Sequence, residues 1–174
     1  MLLAYGELEF AMLDILTAVL KNAQTAVRTL YQLRSETHRL NVAEAIAMPW
    51  FEATNMGGQF REGITAANHC KTIRNQYAHC HFVADDHVLR FANLELTAKS
   101  KGEQCKVVAS PITLTLIKQQ RAYFDYADHM LLWLDQTYRF KNGQPTHVGT
   151  KIPKPRRMQP PKLNSRGEES PPPR

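Results

Sequence analysis

Apolar residues recur along the first two-thirds of the chain at spacings that alternate between helical and extended. Leu3, Phe10, Leu13, Leu16 and Leu20, widened by Ile15 and Val19, form a stripe that predicts a buried helix over about residues 3–21. A polar break, Asn22-Ala23-Gln24-Thr25, offers Thr25 as the cap of a second helix with Val27, Leu30 and Leu33 inside. A third helix is expected from Ser35 or Thr37 through Leu40, Ala43, Ile46 and Ala47. It should stop before Pro49, because the residue preceding proline is pushed out of the α region. Asn55-Met56-Gly57-Gly58 reads as a turn. Beyond it Phe60, Ile64, Ala67, Ile73 and Tyr77 trace the inner face of a fourth helix.

After His79 the texture changes. Phe82-Val83, Val88-Leu89-Arg90-Phe91 and Leu94-Glu95-Leu96-Thr97 are short runs of strand formers. The polar loop Lys99–Glu103 separates them from Lys106-Val107-Val108. These runs predict a small antiparallel hairpin, with three strands as its upper limit. Ser110-Pro111 then looks like a helix start, with serine as cap and proline in the first turn. Leu114, Ile117, Tyr123, Phe124, Ala127, Leu131, Leu134 and Tyr138 carry a long last helix to about Tyr138. The fold class is thus mainly α: a helical bundle with a small antiparallel hairpin inserted before the last helix.

Charge divides the chain at about residue 140. The formal net charge is +6, yet residues 1–140 hold fourteen basic and fourteen acidic side chains. The excess lies in residues 141–174, which also carry eight of the ten prolines. Such a composition cannot offset the entropy of ordering, so a disordered, proline-rich basic tail is expected over 141–174. It reads first as a solubilising extension or one that docks on a partner, with non-specific affinity for a polyanion as the alternative.

Three cysteines (Cys70, Cys80, Cys105) without a CxxC pair point away from a disulfide framework and from a structural zinc site. The early acidic residues Glu7, Glu9 and Asp14 do not suit a secretory leader, and no apolar run reaches the roughly 20 residues of a membrane span. A reducing, cytoplasmic setting is expected, with no cofactor and no membrane partner. Trp50-Phe51 and Leu131-Leu132-Trp133 read as core or as a contact between subunits.

One segment carries candidate chemistry: Ile73-Arg74-Asn75-Gln76-Tyr77-Ala78-His79. Arginine stays charged and grips phosphate with a planar fork, and histidine titrates near neutrality. Five residues apart on a regular helix, Arg74 and His79 would point roughly 140° away from each other. Either the helix ends at or before His79, or two copies of the chain supply one cleft.

In its arginine, following asparagine and histidine five positions on, the segment resembles the R-(x)4-H motif of the HEPN superfamily. The layout of residues 1–140 is similar as well: a helical bundle with the motif near the end of an inner helix and a hairpin before the final one. The resemblance implies metal-independent cleavage of RNA by a homodimer whose shared cleft holds the motif of both subunits. Arg74 would steady the phosphorane charge and His79 would move a proton. Asn75 would orient one of them or hold a phosphate oxygen. A toxin, defence or stress-response role, with a protein inhibitor or antitoxin, is implied by analogy. A non-catalytic dimerisation or RNA-binding module is the alternative.

Some HEPN toxins carry a tyrosine two residues after the histidine, where a partner enzyme modifies it. This chain has His81 there and departs from that pattern. His81 reads first as a surface histidine at a strand edge, with RNA contact as a second proton donor as the alternative. Tyr77 reads first as core, with stacking on an RNA base as its alternative. His79-Cys80-His81 suggests metal ligands, but no carboxylate or third histidine stands at supporting spacing.

Overall fold

The computed structural model describes residues 2–78, 80–85, 88–93, 110–146, 149 and 151–163. Helix α1 (Leu2–Leu20) is followed by α2 (Ala23–Tyr31), α3 (Glu36–Ala53) and α4 (Gly57–Ala78). Strands β1 (Cys80–Asp85), β2 (Val88–Asn93) and β3 (Ser110–Pro111) come next, and helix α5 (Leu114–Lys141) closes the bundle. The chain is mainly helical, with α1 and α4 both packed on α5 and α3 packed on α4.

The core lies where these helices converge. Leu8, Met12, Ile15 and Leu16 from α1 meet Phe51 from α3, Phe60 and Ile73 from α4, and Phe124, Met130 and Leu134 from α5, all fully buried. Phe51 and Phe60 stack with centroids 4.4 Å apart and planes 12° from parallel. Burying each such side chain contributes about 1.5–3 kcal/mol.

Several boundaries differ from the sequence reading, each for a local reason. In α1 the inner face is Tyr5, Leu8, Met12, Ile15, Leu16 and Val19, whereas Leu3 and Phe10 face outward, 89% and 56% exposed. Choosing the largest side chains rotated the stripe. Asn22, not Thr25, caps α2: its Oδ1 accepts from the Thr25 amide at 2.9 Å. Ala26 and Leu30 face inward there and Val27 does not.

Helix α3 does not stop before Pro49 but runs through it to Ala53. Proline costs the helix a main-chain donor, and continuing the helix seats Phe51 against Phe60. Asn55, at φ 58°, then makes the reversal by itself, so Gly57 and Gly58 already belong to α4. Ser110-Pro111 is a strand rather than a helix start. Thr113 caps α5 instead, its Oγ1 accepting from the Leu116 amide at 3.1 Å.

The strands are joined in the order β1-β2-β3. β1 and β2 pair antiparallel from Cys80 opposite Asn93 to Asp85 opposite Val88, and β2 pairs with β3 at Arg90–Pro111 and Phe91–Ser110. The strand formers expected at Leu94–Thr97 and Lys106–Val108 lie outside the described residues.

Residues 151–163, within the stretch expected to be disordered, make contacts with the bundle. They lie across α4 and α5, with the Pro161 carbonyl 3.0 Å from His69 Nε2 and Leu163 packed against the core. The bundle offers this segment donors at His69 and Gln120, which the segment's own composition does not reveal. Residues 164–174 lie outside the described set.

Candidate active site

Residues Arg74–Ala78 form the last turn of α4 (Gly57–Ala78), and β1 begins at Cys80. Arg74 lies on the last turns, turned toward α1 and α3. Its Nη2 is 2.9 Å from Glu36 Oε1 and its Nη1 donates to Glu36 Oε2 at 3.2 Å. Nη1 also donates to Asn75 Oδ1 at 3.0 Å. The guanidinium carbon stands 5.9 Å from the centroid of the Tyr5 ring. Arg74 keeps 28% of its side chain exposed and Glu36 keeps 23%, so the pair is part-exposed at the protein surface.

A second pair flanks the first. Arg39 Nη1 lies 2.9 Å from Glu9 Oε1, while its Nε donates to the Leu33 carbonyl at 2.8 Å. Tyr5 lies among these four charges. Its hydroxyl is buried and has no hydrogen-bond partner among the described residues. Burial, reinforced by Glu36 and Glu9, pushes the phenol well above its ordinary range. It stays neutral and can donate.

The structure brings Arg74 and Asn75 together. Asn75 accepts from the arginine through its Oδ1. His79 lies outside the described residues. Tyr77 is half-buried, its hydroxyl donating to Gln120 Oε1 on α5 at 2.6 Å, and His81 is exposed on β1. The sequence matches no protein-family model, no curated protein and no solved structure. The site therefore stands on its own geometry. Among the described residues no three His, Cys, Asp or Glu side chains group as metal ligands, and no helix is long and apolar enough to cross a membrane.

Glu36, Tyr5 and Gln120 escaped the sequence reading. Glu36 stands 38 positions before Arg74, and nothing local marks it as the partner. Gln120 is wholly buried, holding the Tyr77 hydroxyl on one side and donating from Nε2 to the Lys162 carbonyl at 3.2 Å on the other. Its one sequence signal is a glutamine at helical spacing between Ile117 and Tyr123. Cys70 is buried, which pushes its thiol up to about 12 and leaves it a packing residue.

Chemically, the exposed part of Arg74 can receive one oxyanion, and Glu36 competes with it. A phosphate that binds there must share or displace the carboxylate.

Proposed function

We propose that the chain is a metal-independent endoribonuclease of the HEPN kind, acting as a homodimer. The observation that carries this reading is Arg74 near the C-terminal end of α4, 3.0 Å from Asn75 Oδ1 and with 28% of its side chain exposed. Arg74, bonded to Asn75 and part-exposed, supplies a fixed positive charge for the phosphorane.

The 2′-oxygen of the RNA attacks phosphorus and the bond to the 5′-oxygen breaks, leaving a 2′,3′-cyclic phosphate and a 5′-hydroxyl. His79 of one subunit takes the proton from the 2′-hydroxyl, and His79 of the partner subunit gives one to the departing oxygen. Two copies of one patch meet across a two-fold axis, which supplies both roles. The nucleophile belongs to the substrate, so no metal is needed to generate it and DNA cannot react.

One observation favours a second reading, a non-catalytic dimerisation or RNA-binding module. Glu36 grips both terminal nitrogens of Arg74, the arrangement of a structural ion pair. Cleavage of a fluorescent single-stranded RNA in excess EDTA separates the two. On the nuclease reading wild type cuts, Arg74→Ala and His79→Ala do not, and an all-deoxy strand survives. Variants that cut as well as wild type, or an inert wild type, move the module reading to first place.

A further inference from the structure

Between Lys151 and Leu163 the chain carries five basic residues and no acidic one. It is seated on the bundle at points spread along its length. Lys154 reaches Glu62 at 2.9 Å and stands 5.7 Å from the centroid of the Trp133 ring. The carbonyls of Pro161 and Lys162 meet His69 Nε2 and Gln120 Nε2. Burial alone would raise the Glu62 carboxyl, but hydrogen bonds from Lys154 and Tyr126 outweigh it and hold the group below its usual range. Glu62 is therefore a charged anchor.

Seating the segment fixes its positive charges in place. Lys154 and Arg157 share Glu62. Lys151, Arg156 and Lys162 are exposed, and none has a carboxylate partner among the described residues. At the Lys162 end the Gln120 amide joins the segment directly to the Tyr77 hydroxyl, inside the Arg74–His79 stretch. These charges thus run along the α4–α5 face and end one side chain away from Tyr77, near the C-terminal end of α4.

We infer that the docked segment is a polyanion track that takes the backbone of single-stranded RNA and leads it to the C-terminal end of α4. The inference rests on the RNA reading above and adds to it where the substrate lies. A track ordered by folding binds without a further ordering cost, unlike a loose basic tail. Each phosphate neutralised on a single strand adds about 0.7 to the slope of log affinity against log salt.

The test measures binding of the full chain to a 2′-O-methyl single strand, which lacks the nucleophile, over a salt series. Neutralising Lys151→Gln, Arg156→Gln and Lys162→Gln together should make the salt slope shallower by about 2. His69→Phe, which keeps the ring edge on Tyr123, and Gln120→Met leave every charge in place but loosen the seat, so both should weaken binding several-fold. If Gln120→Met fails to fold by circular dichroism, His69→Phe carries that arm. A triple variant with the wild-type slope overturns the track. Seat variants that bind like wild type overturn it too, since the tail then acts as a loose polycation. Steep binding of this strand by a protein that cannot cut ordinary RNA supports the track and removes the nuclease.

Discussion

Arg74 and Glu36 close on each other through two contacts, 2.9 and 3.2 Å long, and tie the end of α4 to the start of α3. The pair is about three-quarters buried, so its worth lies above that of a fully exposed pair and below that of an enclosed one. A double-mutant cycle with Glu36→Gln and Arg74→Gln should give a coupling of about 1 kcal/mol by urea unfolding. Glu36→Gln alone should also tighten RNA binding, because the competing carboxylate is gone while Arg74 remains. Looser binding by that variant would mean that Glu36 holds Arg74 for the substrate and does not compete with it.

Asp135 and Arg139 form a more deeply enclosed pair on α5, 2.8 Å apart with 2% and 10% of their side chains exposed. Arg139 further donates to the Asp14 carbonyl on α1 at 3.1 Å. Asp135→Ala strands a buried cation, and the expected loss is about 3–5 kcal/mol in urea unfolding. Replacing both partners, Asp135→Leu with Arg139→Met, should recover most of that loss.

Asp128 supplies a pH signature. Burial raises its carboxyl pKa; Glu7 and Asp125 add to the rise while His129 opposes it. The folded chain then holds this proton more tightly than the unfolded chain does. Ionising Asp128 therefore costs stability above the folded-state pKa, and the cost vanishes below the unfolded value of about 3.9. Asp128→Asn should raise Tm at pH 7 and bring no gain at pH 3. An equal gain at both values would show that something other than ionisation is involved.

Gly63 lets α4 and α5 approach closely. A Cβ there would come within 2.7 Å of Leu134 Cδ1 and 3.3 Å of Leu131 Cδ2. Gly63→Ala should cost about 1–3 kcal/mol by overpacking. Shortening Leu134 to valine in the same chain should return part of it, so the two losses should not add.

The helices were legible because their periodicity is local. Phe60, Ile64, Ala67 and Ile73 announced the inner face of α4 and are buried as expected. Exposed Phe10 and buried Tyr5 were not legible, since size and apolarity do not say which of two adjacent stripes meets a partner helix. Pro49 was misread because a rule about one residue was set against the packing of Phe51, which depends on a helix further along. At the site, Arg74 and Asn75 were legible as residue types in a short motif. Their positioning by Glu36, and the bond from Tyr77 to Gln120, are long-range facts without any local trace.

The seating of residues 151–163 has a consequence for how this protein behaves among its own kind. Four of those thirteen residues are prolines with no main-chain hydrogen to give. Two oxygens of the segment, on Pro161 and Lys162, are engaged by imidazole and amide groups of the bundle. A stretch of open backbone on a protein surface ordinarily invites a neighbour's strand to zip along it. This one is interrupted by proline and studded with like charge, which makes it a poor template for such pairing. It can lie open to solvent at high concentration without seeding aggregates.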